Sequence, residues 1–125
     1  MKEFVLEATK ATPSINFNFK KGVFIIKGRL IPEDATSFFN PIQAAIEDYF
    51  KKPLPQNVFN IQLDYLNSSS ISCILNILKT FEKHINKTST VVNWYYERGD
   101  EDLELIGTNY SEVLNLKFNI ITVDE

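Results

Sequence analysis

The chain has 125 residues, of which 44% are hydrophobic and 23% are charged, and its formal net charge is −3. This length supports one hydrophobic core, so we expect a single domain over residues 1–125. The single cysteine excludes an intramolecular disulfide and a cysteine-cluster zinc site, and the single histidine argues against a histidine-rich metal site. An acidic chain without a basic stripe is also a poor nucleic-acid binder.

The N-terminal segment predicts a protein that stays in the cytoplasm. Glu3 and Glu7 interrupt its apolar residues, which does not fit a secretory signal. No apolar run in the sequence approaches the roughly 20 residues that a membrane span requires. We therefore expect neither a membrane nor a nucleic acid among its partners.

The first elements along the chain are predicted to be strands. Residues 4–8 could form a short strand, and residues 15–19 alternate apolar and polar side chains with the period of a half-buried strand. The Lys-Lys-Gly sequence at 20–22 predicts a turn into a more continuously apolar strand over 23–30. Together these segments predict an antiparallel hairpin.

A helix is predicted next, because Phe38, Ile42 and Tyr49 fall on one helical face. The Asn40-Pro41 pair complicates it, since proline lacks an amide donor and disfavours helix before it. We expect either a kink there or a helix that begins with Asn40 as its cap and Pro41 in its first position.

Strands and helices then alternate to the end of the chain. The predicted elements are a strand over 58–65, a helix from Ile71 to near Asn86, a strand over 90–96, a partly helical segment over 103–114 with a turn at Gly107, and a strand over 118–121. Strands separated by helices imply right-handed crossovers and a mostly parallel sheet. We therefore predict an α/β domain whose mixed sheet carries the hairpin at one edge.

Three loops should meet at the carboxyl ends of the parallel strands, where open α/β sheets form their sites. These loops are 29–34, 67–70 and 97–102. The charge is uneven as well, with a net +2 over residues 1–55 and −5 over residues 56–125. One basic residue, a group of hydroxyls and a group of carboxylates are thus predicted to share a rim.

The serine cluster at 67–70 has two interpretations. Asn67 or Ser68 could simply cap the following helix by accepting hydrogen bonds from its free amides. Alternatively, a hydroxyl here could accept a phosphate, whose charge of about −1.5 to −2 would sit at the positive end of the helix dipole. The helix would tolerate such a modification, so the residue could act as a charge switch.

The acidic segment 97–104 has three interpretations. It could be a solvated charged turn, or an interface that responds to charge. It could also bind a divalent metal, since Asp100, Glu101, Asp102 and Glu104 offer oxygen ligands, although their spacing matches no EF-hand. A metal site would make the protein a metal-dependent hydrolase, which we keep as the alternative to the expectation of no metal and no other cofactor.

Several motifs resemble the SiaC family of bacterial regulatory phosphoproteins over residues 9–120. In chain order they are Thr12-Pro13 with Ile15 and Phe17, Gly28-Arg29 with Ile31-Pro32-Glu33, Tyr65-Leu66-Asn67-Ser68-Ser69-Ser70, and Trp94 with Tyr96 and Asp100-Glu101-Asp102. The resemblance implies a fold like that of the STAS domain of anti-sigma factor antagonists. Leu66 stands in place of the family's usual phenylalanine, and Leu30 in place of its usual serine.

The resemblance also implies a function. Members of this family are not enzymes but substrates of a dedicated protein kinase and a PP2C-type phosphatase. The unphosphorylated form binds a target protein, which in the characterised system is a diguanylate cyclase. The family's phosphorylated threonine falls on Ser68, which is likewise a hydroxyl acceptor.

The leading hypothesis is therefore a phosphorylation switch with Ser68 as acceptor. Asn67, Ser69 and Ser70 would shape the acceptor loop. Partners would contact a rim formed by Arg29, Glu33, Asp100, Glu101 and Asp102. A module that binds a small molecule at this rim is a third possibility that the sequence leaves open.

Overall fold

A computed structural model describes residues 2–124 of the chain. Its elements, in chain order, are β1 (Glu3–Leu6), β2 (Ser14–Asn18), β3 (Val23–Leu30), α1 (Ala35–Tyr49), β4 (Gln56–Leu66), α2 (Ser68–Lys83), β5 (Ser89–Glu97), α3 (Glu101–Val113) and β6 (Lys117–Val123). Within the described residues, every helix is too short or too polar to cross a membrane.

The strands form one six-stranded sheet in the order β1-β2-β3-β4-β5-β6. β1, β2 and β3 pair in antiparallel fashion, whereas β3 to β6 are parallel. Each of the three crossovers steps to the next strand in the same direction, so right-handed connections place all three helices on one face. The prediction of a single α/β domain with a mixed, mostly parallel sheet and an antiparallel hairpin is confirmed.

The core lies between the sheet and the helices, and phenylalanines fill much of it. Phe17, Phe24 and Phe59 are aligned across β2, β3 and β4, and all three are fully buried. Phe81 of α2 packs on this row, with its ring centroid 5.1 Å from that of Phe24 and 5.2 Å from that of Phe59. Edge-to-face aromatic contacts of this kind add about 0.5–1.5 kcal/mol beyond the area they bury.

Helix α1 begins at Ala35, five residues before Asn40, so the predicted Asn40 cap is wrong. Asp34 is the N-cap, and its carboxylate accepts hydrogen bonds from the Ser37 amide at 3.1 Å and the Ser37 hydroxyl at 2.7 Å. These two bonds lower the pKa of Asp34. Pro41 lies inside the helix and is exposed, while Phe39 and Ile42 bury the apolar face that holds the helix on the sheet.

Gly107 lies within α3, so the predicted turn at this position is also wrong. A side chain at this position would overlap the indole of Trp94, which is buried and donates a hydrogen bond to the Leu103 carbonyl at 2.9 Å. The glycine is therefore explained by close packing of the helix on β5. Helix α2 ends at Lys83, slightly before the predicted end near Asn86.

Replacing Gly107 by alanine is expected to destabilise the protein by about 1–3 kcal/mol, the usual cost of overpacking. Alanine favours a helix by about 1 kcal/mol over glycine, but relieving the overlap would move Trp94 and break its bond to Leu103. Urea denaturation measures the difference. The control Asn109→Ala, on the exposed side of α3, should change stability by less than about 0.5 kcal/mol. A Gly107→Ala variant as stable as the wild type would contradict this packing.

Candidate functional site

The carboxyl ends of β3, β4 and β5 bring the three predicted loops to one edge of the sheet. The backbone amide of Asn67 donates a hydrogen bond to the Leu30 carbonyl at 3.1 Å, which ties the end of β4 to the end of β3. The register between these strands shifts at Gly28 and Arg29, so that Arg29 pairs with Tyr65. The extra residue on β4 is Asp64, which is exposed.

Asn67 is the N-cap of α2 and also holds the neighbouring loop. Its side-chain oxygen accepts a hydrogen bond from the Ser70 amide at 3.2 Å, and its side-chain nitrogen donates to the Pro32 carbonyl at 3.1 Å. One amide side chain therefore fixes both the start of α2 and the loop after β3. Of the two predicted capping residues, the structure selects Asn67.

The three serines that follow Asn67 differ in exposure. Ser68 and Ser69 are exposed, whereas Ser70 is fully buried. The Ser69 hydroxyl donates to the Asn67 side-chain oxygen at 3.4 Å, and the buried Ser70 hydroxyl has no hydrogen-bond partner among the described residues. Ser68 occupies the first position of the helix, where backbone amides have no acceptor within the helix.

Arg29 lies over the ring of Tyr65, with its guanidinium carbon 4.7 Å from the ring centroid. Both residues line an open cavity of about 610 Å³ together with Lys27, Gln62, Asp64, Glu97 and Asp100. The sequence reasoning named Tyr65 within a family motif but assigned neither Tyr65 nor Asp64 to the rim. The sequence signal for Tyr65 is its position beside the serine cluster. In the structure this large aromatic side chain stays 57% exposed.

The acidic residues after β5 build the start of α3. Asp100 is its N-cap, and its carboxylate accepts a hydrogen bond from the Leu103 amide at 3.0 Å. Glu101, Asp102 and Glu104 occupy the first turn, where negative charge is favourable toward the helix dipole. The carboxylate cluster thus has a structural explanation independent of any ligand.

A smaller cavity of about 140 Å³ joins the end of β4 to the acidic helix. Its lining includes Tyr65, Leu66, Asp100 and Asp102. The cavity therefore places the end of β4, directly before the serine cluster at 67–70, next to the start of α3.

The structure therefore brings Arg29, Asp100 and Asp102 to the two cavities of the rim. Glu33 and Glu101 are exposed and lie outside both.

Helix α3 is attached to the first turn of α2 through Tyr110. Its hydroxyl donates to the Ile71 carbonyl at 2.6 Å. Burial raises the pKa of Tyr110, with a smaller contribution from Cys73, so the hydroxyl remains a donor at neutral pH. The starts of the two helices are thereby held in a fixed relation.

Within residues 2–124, no three or more histidine, cysteine, aspartate or glutamate side chains converge as metal ligands would. The hydrolase alternative therefore gains no support from the geometry of the acidic segment.

The comparison with protein families settles the classification. The family described as SiaC family regulatory phosphoprotein matches residues 6–123. The chain belongs to the SiaC family. The match covers every element of the rim, from β3 to the start of α3.

Similar proteins and solved structures come from Pseudomonas aeruginosa. An uncharacterized protein of that organism is 25% identical over 126 residues, covering 100% of both chains. A chain in the crystal structure of the diguanylate cyclase SiaD in complex with its activator SiaC superposes with a TM-score of 0.88 at 23% identity, covering 96% of this chain and 99% of that one. Apo-SiaC gives a TM-score of 0.86 at 20% identity, covering 97% and 99%. These likenesses establish the fold.

Replacing Asn67 by alanine is expected to cost about 1–2 kcal/mol of stability, as loss of an N-cap does. The variant also loses the bond to Pro32, so amide hydrogen exchange in residues 31–34 should accelerate. Thermal unfolding and exchange mass spectrometry measure the two effects. Ser69→Ala is the control, because it removes only an exposed contact of 3.4 Å. Equal stability of the Asn67→Ala variant and the wild type would show that this cap is not needed.

Proposed function

We propose that this protein is a non-enzymatic switch in which phosphorylation of Ser68 controls binding to a target protein. Its membership of a family of regulatory phosphoproteins supports the class of function. The observation that carries the choice of residue is an exposed hydroxyl at the first position of α2. A kinase can reach this hydroxyl without unfolding the protein.

The neighbouring serines are poorer acceptors. The Ser70 hydroxyl is fully buried, so a kinase would have to open the helix to reach it. Ser69 is exposed, but its hydroxyl donates a hydrogen bond to the side-chain oxygen of Asn67, the N-cap of α2. Ser68 is exposed, and among the described residues no hydrogen bond engages its hydroxyl.

The proposed chemistry needs ATP and two partner enzymes. A protein kinase transfers the γ-phosphoryl group of ATP to the Ser68 oxygen, which releases ADP and the serine proton. A PP2C-type phosphatase hydrolyses the ester, which restores the serine and releases inorganic phosphate. Because ATP is the donor, the proposal places the protein in the cytoplasm.

The folded protein should tolerate the phosphate. The free amides at the start of α2 and the helix dipole both stabilise a negative group at this position. The phosphate carries about −1.5 to −2 charge at neutral pH. It therefore changes the potential of the rim while leaving α2 in place.

The target is proposed to bind the rim formed by Arg29, Glu33, Asp100, Glu101 and Asp102 in the unphosphorylated state. A diguanylate cyclase is the first candidate, because a similar structure is that of SiaD with its activator SiaC. A phosphate on Ser68 would add negative charge to a rim that already carries Asp100 and Asp102. Binding would weaken wherever the target presents negative or poorly hydrated groups to Ser68.

The chain purified from its native cells is expected to carry phosphate on Ser68. Tandem mass spectrometry of the peptide spanning Ser68, Ser69 and Ser70 locates the modification. Ser68→Ala should abolish it, whereas the matched controls Ser69→Ala and Ser70→Ala should retain it. Phosphate found on Ser69 or on another segment, unchanged in Ser68→Ala, would reject the assignment.

Arg29→Ala is expected to weaken binding to a SiaD-type cyclase of the same organism by about tenfold, which corresponds to about 1.4 kcal/mol. The variant removes the cation that lies on Tyr65 at the centre of the rim. Isothermal titration calorimetry measures the affinity. Lys10→Ala removes an exposed positive charge from the chain before β2 and serves as the control. Equal affinities for Arg29→Ala and the wild type would exclude Arg29 from the interface.

A further inference from the structure

The two edge strands of the sheet, β1 and β6, differ in how well they are protected against pairing with a strand of another molecule. The β1 edge has only four residues, begins with Glu3 and is followed by Glu7, and such short charged edges resist pairing. The β6 edge has seven residues with the sequence KFNIITV, in which Lys117 is the only charge. It has no proline, and its register with β5 is regular throughout. The β6 edge therefore lacks the usual protective features.

The backbone groups that β6 presents outward can be identified from its pairing with β5. The Val123 carbonyl accepts a hydrogen bond from the Arg98 amide at 2.9 Å, so Val123 faces β5. In a parallel ladder the amide and carbonyl of one residue point to the same side, and successive residues alternate. Phe118, Ile120 and Thr122 therefore direct their amides and carbonyls away from the sheet. Within the described chain, no strand pairs with that side.

We propose that β6 is a self-association edge at which two copies of this chain pair in antiparallel fashion about a two-fold axis at Ile120. In this register Ile120 faces Ile120 of the second copy, and Phe118 faces Thr122 of the second copy. Each of these facing pairs exchanges two hydrogen bonds, so all the outward amides and carbonyls of the three residues are satisfied. The six strands of each copy then form one continuous sheet.

The charges of β6 fit this register. Lys117 lies opposite Val123 of the second copy, one residue from Asp124, so the only charge on the strand meets no like charge. A two-fold contact of this kind is self-complementary and closes on itself. The edges left at the ends of the joined sheet are the two short, charged β1 strands. Assembly should therefore stop at the dimer rather than continue into fibres.

Helix α3, the helix next to this edge, is tied to the interior of the protein. Trp94 of β5 donates to the Leu103 carbonyl, and Tyr110 donates to the Ile71 carbonyl of α2. The two rims point to opposite ends of the dimer, so both remain accessible.

Sedimentation equilibrium of the unphosphorylated chain from about 1 µM to about 500 µM tests the dimer, and a mass that rises from monomer to dimer is expected in this range. Amide hydrogen exchange locates the contact. The amides of Phe118, Ile120 and Thr122 should become protected as concentration rises. The amides of Asn119 and Ile121, which face β5, should be protected at every concentration.

A matched pair of variants separates the backbone contact from the side chain. Ile120→Pro removes an outward amide that makes no bond to β5, and it should abolish dimerisation. Ile120→Val keeps the amide and trims the side chain, and it should dimerise as the wild type does. A monomer at every concentration would overturn the proposal, as would a dimer in which Phe118, Ile120 and Thr122 still exchange freely. If Ile120→Pro does not fold, the exchange pattern of the wild type decides.

Discussion

The candidate site depends on the side-chain amide of Asn67, which makes one hydrogen bond to α2 and another to the loop after β3. Its oxygen caps α2 through the Ser70 amide, and its nitrogen holds the Pro32 carbonyl of the loop after β3. Because these bonds fix the first turn of α2, Ser68 is presented to solvent at the positive end of a helix that is already formed. A phosphate added there meets organised amides instead of having to order a loop.

A second helix start, that of α3, lies near the first and already carries the negative charge that helix N-termini favour. The Asp100 cap and the acidic first turn of α3 are stabilising because they are negative. The same charges would repel a phosphate on Ser68 if it approached them. The free amides at the start of α2 attract a phosphate on Ser68, whereas the carboxylates at the start of α3 repel it. A change in charge at this rim therefore shifts the balance between the two effects.

The sequence predicted the elements well where local patterns determine them, and less well where distant residues decide. The alternation around Ile15 and Phe17 reflects burial of one face, so β2 was predictable. Gly107 has no side chain because the indole of Trp94, a residue of β5, occupies the space that a side chain would need. The hydrophobic periodicity of the sequence does not indicate such a contact between distant residues. The contact between Arg29 and Tyr65 depends on a register shift between β3 and β4. The sequence therefore indicated the serine cluster and placed Tyr65 in a family motif, but it did not indicate that Asp64 and Tyr65 line a cavity with Arg29.

The central claim is that one phosphate on Ser68 changes binding without changing the fold. Calorimetry of the fully phosphorylated and unphosphorylated chains against a SiaD-type cyclase tests it directly, with amide exchange of α2 recorded on the same samples. The account predicts binding at least about tenfold weaker for the phosphorylated chain, with equal protection of α2 in both. Equal affinities, or loss of protection in α2 on phosphorylation, would contradict it.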